Sequence, residues 1–366
     1  MKSHRSTPLG RTPWLAPQVE ALEQRCCPSG ASITVVNHTM IIAGDNGADD
    51  IQISDDGLGR VSASLTTGSA VLSGNGQGIR QIEVFTHSGR DNVHFALTGT
   101  LATNLDLKLN LGTGADNVSL DFSDGVTAKR LGISVDGGKG AEQLTTSFGA
   151  IAGTHMLLQE DLGQGIDSSS IDFGGSITSS KVGVALDGSR GTALVSANLG
   201  NVVGSNVYFA AHLGQGGDSF SAALNGNVTR SSKVSFGVVG GRGVDTMAVD
   251  VNGKIDAKAK IDVRFQGSRS TDNESFQYNG QLNGTLDYHA NGGSGSDIEA
   301  GNITIDPGSK GTLNADEHGG PGKDLLTLNV NDNSNTGGAS TLTDLDAFLF
   351  GGGNDTFVHT PNVVVV

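Results

Sequence analysis

Cysteine is almost missing from this 366-residue chain, which has only two, Cys26 and Cys27. Adjacent positions make an ordinary disulfide between them sterically awkward, so cross-links cannot staple the fold that follows. No run of 18 apolar residues occurs, which excludes a membrane-spanning helix, and the first 30 residues lack the apolar core of a standard secretory signal. Basic residues number 23 against 38 acidic ones, and the net charge of -15 opposes nucleic acid or an anionic membrane as a partner. Cations are the natural counterparts. Aromatics make up 5% with one tryptophan, Trp14, which leaves few platforms for stacking sugars. The histidines are scattered, only His87 and His94 standing close, and none has the spacing of a zinc site. With no Gly-x-Ser-x-Gly elbow, Walker loop or His-Glu-x-x-His, the chain is not expected to be an enzyme.

What the chain has in excess is glycine, 56 residues, about twice the usual share. Much of it falls in a turn signature that returns about every 26 residues: LGTGAD, GGKGAE, LGQGID, LGQGGD, GGRGVD, GGSGSD, GGPGKD and FGGGND. The last residue of each signature is a marker: Asp116, Glu142, Asp167, Asp218, Asp245, Asp297, Asp324 and Asp355. Two degraded copies end at Ala193 and Asp272, and two earlier ones at Asp49 and Asp91. Such a repeat means one supersecondary unit stacked many times.

Between signatures the apolar period is two. After Asp245 the residues Met247, Val249, Val251, Ile255, Ile261, Val263 and Phe265 share one parity, the pattern of strands with one buried face. A glycine eight residues after the marker, as at Gly175, Gly226, Gly253 and Gly280, reads as a corner. The expected fold is all-β, an elongated parallel β-helix (β-solenoid) of about 26-residue coils over residues 33–366, preceded by a non-solenoid leader over 1–32 that holds four of the seven prolines. An antiparallel β meander with two strands per unit is the alternative. The 42-residue gap between Asp49 and Asp91 and the segment at 331–341 read as insertions looping outside the coil.

In a parallel stack the markers form a carboxylate ladder along one edge, about 4.8 Å apart. On a solvent-facing edge neighbouring charges repel by about 1 kcal/mol. A hard divalent cation relieves this, since Ca2+ accepts carboxylates together with backbone carbonyls. The expected ligands are the carboxylates of Asp116, Asp167, Asp218, Asp245, Asp297, Asp324 and Asp355 and the carbonyls of Gly114, Gly216, Gly243, Gly295, Gly322 and Gly353. A polar position six residues before the marker, including Asn110, Asp136, Asp161, Asp187, His212, Asn291 and His318, flanks the same edge as a possible second ligand column.

The turns resemble the calcium-binding nonapeptide of RTX, or haemolysin-type, proteins, G-G-x-G-x-D-x-U-x with U apolar. GGRGVDTMA and GGPGKDLLT match every fixed position, while GGSGSDIEA puts Glu299 at the apolar one. The resemblance implies Ca2+ bound between stacked turns, here with one signature per coil instead of tandem signatures every nine residues. In the leader, Leu22, Glu23 and Arg25 with Val19 and Glu20 resemble a Leu-Glu-x-Arg motif at the start of exported or surface proteins of certain bacteria. Together these imply an exported, cell-surface calcium-binding protein with a structural or adhesive role, its partners being calcium ions and a surface glycan or surface protein. A metal-independent scaffold is the second expectation. A glycan-degrading enzyme is the third, and it needs two or three acids converging from adjacent coils. The apolar tail at 362–366 suggests self-association through an open sheet edge.

Overall fold

A computed structural model describes residues 30–335, 342, 344–351 and 355–365. The leader motif, residues 336–341 of the second insertion and the candidate ligand Gly353 lie outside the described residues.

The described chain is a parallel β-solenoid. Two 14-stranded sheets run along it, called A and B here, joined at their edges by narrower ladders of two-residue bridges. One coil shows the plan. The sheet A strand Arg130–Asp136 leads into the glycine turn with its bridge Lys139–Gly140, and the sheet B strand Gln143–Phe148 follows. A far corner with the bridge Ile151–Ala152 then opens the next sheet A strand, His155–Asp161. Successive coils pair in parallel and in register, so the residue after each marker stacks from Asn117 through Gln143, Ser168, Leu194, Ser219 and Thr246 to Asn273. Small differences in coil length are absorbed in the corners, because shifting a strand by one residue would turn its apolar set outward.

The period-two pattern is realised as inward apolar side chains on both sheets. Phe95, Phe122, Phe148 and Phe173 stack along sheet B with ring centroids 4.9, 5.3 and 4.9 Å apart, close to the strand spacing itself. The far corner closes tightly. A Cβ on Gly226 would lie 2.5 Å from the Gly200 carbonyl carbon, and one on Gly280 2.0 Å from Gly253 O, so the corner glycines permit backbone on backbone.

Among the described residues antiparallel pairing is confined to the first coils: Ser32–Val36 with Thr39–Ala43, Asp49–Asp55 with Val61–Thr67, and Val61–Thr67 with Ala70–Gly76. The insertion between Asp49 and Asp91 is therefore not a loop outside the coil. It extends sheet B and buries Val61, Ala63 and Leu65 over the first end of the solenoid, where stacked units would otherwise expose an open edge. In the tail, Val364–Val365 pairs in parallel with Phe348 and Leu349 as the last strand of sheet A.

Candidate functional site: a buried carboxylate column

The markers stack in one column at the start of sheet B, but they face the interior. Asp49, Asp91, Asp116, Glu142, Asp167, Asp218, Asp245, Asp272, Asp297 and Asp324 are all buried, none more than 2% exposed. The expectation of a solvent-facing edge is corrected by parity: each marker lies two residues before the next inward position of its strand, so the alternation that buries Met247 buries Asp245 as well.

Each coil holds its neighbour through this column. One carboxylate oxygen accepts the backbone N–H of the marker one coil earlier, as in Asp91 N–H to Asp116 Oδ1 (2.8 Å), Ala193 to Asp218 (2.7 Å), Asp218 to Asp245 (3.0 Å), Asp245 to Asp272 (3.0 Å), Asp272 to Asp297 (2.8 Å) and Asp297 to Asp324 (2.8 Å). Asp324 N–H reaches Asp355 Oδ1 at 3.1 Å, which carries the ladder into the last described coil. The ladder breaks at Ala193, which has no carboxylate to offer Asp167, and at Glu142, neither of whose oxygens accepts the Asp116 N–H. The second oxygen is a different matter. Oδ2 of Asp91, Asp116, Asp167, Asp218, Asp245, Asp272, Asp297 and Asp324 is buried with no hydrogen-bond partner, as are both oxygens of Glu142.

The glycines of the signature make this packing possible. A Cβ on Gly240 would fall 2.6 Å from Asp245 Oδ2, and one on Gly319 2.6 Å from Asp324 Oδ2. At the fourth position Gly243 has φ +136, and its Cβ would lie 1.3 Å from Gly216 O. The carbonyls of Gly114, Gly216 and Gly295 thus run along the stack, each against the glycine of the next coil: Gly140, Gly243 and Gly322.

Burial sets the electrostatics. It pushes Asp91, Asp218, Asp272 and Asp297 up to about 6, opposed by the backbone N–H each one accepts and reinforced by the neighbouring carboxylate. Asp116, Asp245 and Asp324 are raised for the same leading reason. Glu142 is pushed up to about 9 by burial and by Asp167 beside it. Among the described residues no Lys, Arg or His forms an ion pair with the column from Asp49 to Asp324. Nor do three His, Cys, Asp or Glu side chains converge there as metal ligands.

The column six residues before the marker ends the sheet A strands on their outer side. Asp136, Asp161, Asp187 and His212 are exposed, and Asp161 and Asp187 cap the turn by accepting N–H bonds from Gly163 (3.0 Å) and Ser189 (2.9 Å). It does not meet the marker oxygens. The outer face of sheet A also gathers acids from successive coils, Asp262, Asp287 and Asp316. Arg264 holds the first, Lys260 and Asn314 the second, and His289 and His318 the third.

The far corner carries a neutral counterpart of the carboxylate ladder. Thr154 N–H donates to Ser180 Oγ (3.1 Å), Ser180 N–H to Ser205 Oγ (3.0 Å) and Ser205 N–H to Ser232 Oγ (3.1 Å). Each hydroxyl of Ser180 and Ser205 in turn donates to a carbonyl, Thr178 O at 2.8 Å and Val203 O at 3.0 Å, so nothing is left over. Known protein families, characterised proteins and solved structures offer no match to this chain.

Proposed function

We propose that this chain is an exported, cell-surface β-solenoid with a structural or adhesive role, stiffened by Ca2+ held between successive turns of the carboxylate column. The observation that carries the reading is the orphaned carboxylate oxygen of the markers from Asp91 to Asp324. Serine at the far corner does the same inter-coil job and satisfies every polar atom, whereas an ionised carboxylate has no hydrogen to donate and leaves an anionic oxygen buried. A buried polar atom without a partner costs roughly 1 to 3 kcal/mol, and more when charged. A column of aspartates is thus a costly way to build a corner unless a counter-ion completes it.

The residues fit a hard cation by chemistry: anionic oxygens from Asp116, Asp167, Asp218, Asp245, Asp297, Asp324 and Asp355, with backbone carbonyls of the glycine turns for the remainder. Bound there, the ion would supply positive charge between coils. The likeness of the turns to the RTX nonapeptide supports calcium as the ion. Export fits the same chemistry, because a column that repels itself without calcium closes where calcium is abundant.

A passive scaffold is the second reading, favoured by the N–H ladder that already joins coil to coil without an ion. Thermal unfolding by circular dichroism in chelator, in calcium and in magnesium separates the two. A calcium-specific rise in melting temperature that Asp245→Ala and Asp324→Ala diminish is the expected result, and identical melts in all three conditions would leave only the scaffold.

A further inference from the structure

Two coils toward the C-terminal end break the apolar rule of the interior. The inward position two residues after the marker is apolar in most coils, as at Val118, Leu144, Phe220, Met247 and Leu326. In two successive coils it is Glu274 and Glu299, paired in register on sheet B. Across the interior, sheet A places Glu317 against them, and Tyr288 stands between. All three glutamates are wholly buried. Gly301 makes the room, since a Cβ there would lie 3.0 Å from Glu317 Oε1 and 2.9 Å from Tyr288 Cε1.

The polar atoms of this cluster do not close on themselves. Glu299 Oε1 accepts the Gly292 N–H at 2.7 Å, and Glu317 Oε1 accepts the Tyr288 hydroxyl at 3.2 Å. Both oxygens of Glu274, Oε2 of Glu299 and Oε2 of Glu317 have no partner. Among the described residues no basic side chain pairs with any of them. Glu160 shows what a solitary interior glutamate looks like: it faces Ser169, which replaces the apolar residue of that coil and donates its hydroxyl to Glu160 Oε2, so that only Oε1 is left without a partner. The three-glutamate cluster has no such donor for its four free oxygens.

We propose that Glu274, Glu299 and Glu317 form an interior site for one hard divalent cation, calcium by its tolerance of irregular sets of oxygen ligands. The site adjoins the turn column, since a Cβ on Gly292 would lie 2.7 Å from Asp297 Oδ2 and 2.8 Å from Glu299 Oε1, but it draws on its own glutamates and needs no ion elsewhere in the column. As placed, the side chains do not converge on one point. Ionised carboxylates repel, and each glutamate has three side-chain torsions through which its free oxygens can turn toward an ion between the sheets. Burial and the charges of its partners raise Glu274 and Glu317 well above the usual carboxylate range and lift Glu299 to about 8, so a cation entering the cluster displaces protons.

The test counts calcium bound to the full chain by native mass spectrometry, alongside tyrosine-sensitised terbium luminescence, since Tyr288 touches the cluster. Glu274→Leu/Glu299→Leu restores the apolar residues of other coils. It is expected to lose one ion and most of the sensitised emission, while Asp218→Ala/Asp245→Ala keeps both the cluster ion and the emission. Equal ion counts and emission in wild type and the double leucine variant overturn the proposal. Should that variant fail to fold by circular dichroism, Glu317→Gln, nearly isosteric, must show the same loss, and its unchanged binding overturns the proposal equally. Ions lost only from the Asp218→Ala/Asp245→Ala chain would assign calcium to the column and refute the interior site.

Discussion

Asp218→Asn isolates the physics of the column in one substitution. Asp218 is 2% exposed, accepts the Ala193 N–H at 2.7 Å through Oδ1, and leaves Oδ2 without a partner. Burial first, and the Asp245 charge in addition, raise its pKa from 3.8 to about 6. A carboxyl whose folded pKa lies above its unfolded value contributes its full stability below about pH 4 and loses it as pH rises through about 6. A shift of about two units corresponds to ~3 kcal/mol lost by pH 8, at 1.36 kcal/mol per unit. Asparagine keeps an acceptor for Ala193 and carries no charge. In chelator, Asp218→Asn is therefore expected to be more stable than wild type by ~3 kcal/mol at pH 8 and nearly level with it at pH 4. Calcium should invert the order at pH 8, since the wild type gains a bound ion and the variant has lost a ligand. Urea midpoints followed by circular dichroism at both pH values, with and without calcium, read all four states. If the variant is no more stable than wild type at pH 8 in chelator, the claim that these carboxylates are buried and destabilised when charged is wrong.

Other positions give independent checks. Gly243→Ala must fit a Cβ 1.3 Å from Gly216 O at φ +136 and is expected to cost more than ~2 kcal/mol, whereas Gly217→Ala, whose nearest neighbour is Val244 O at 3.4 Å, should be nearly silent in the same urea titration. Phe148→Ala removes the ring stacked between Phe122 and Phe173, and ~3 to 5 kcal/mol should be lost. Hydrogen exchange should show that loss concentrated in the adjoining coils, because a solenoid transmits strain mainly to its neighbours. Ser205→Ala orphans the Ser180 N–H and should destabilise by ~1 to 3 kcal/mol at every pH, with no response to calcium. A calcium-dependent Ser205→Ala effect would mean that the two corner ladders are not chemically distinct.

Much of the architecture is legible without coordinates, because a repeat of fixed length forces identical units into the same environment. The spacing of the markers gives the coil, and the parity after Asp245 gives the inward face of sheet B. The same parity placed Asp245 itself inside, and that signal was present in the spacing of Asp245 from Met247. It was outweighed by the habit of aspartate at exposed turns, where the side chain caps its own backbone. Asp161 and Asp187 show that habit on the outer side of the same corner. Glu299 stood out at the apolar position of its turn, and Glu274 occupies the matching place after the degraded copy GSRSTD. Glu160 and Glu317 could have been found by continuing the alternation through Met156 and Leu158 and through Leu313 and Ala315. The insertion after Asp49 was not legible as a cap, since nothing local distinguishes a strand that covers a sheet end from one that loops away.

The sequence by itself determined the solenoid, its period and the alternation of its faces, because these follow from short-range turn chemistry and from the two-residue period of a strand repeated coil after coil. Only the tertiary structure decided which atoms meet between coils: that aspartates such as Asp218 and Asp245 tie Oδ1 to the preceding backbone and leave Oδ2 stranded, and that Glu274, Glu299 and Glu317 are buried within electrostatic reach of Tyr288. Those contacts join residues about 18 to 43 positions apart, and they depend on the stacking register and on which sheet faces which, quantities that no single repeat contains.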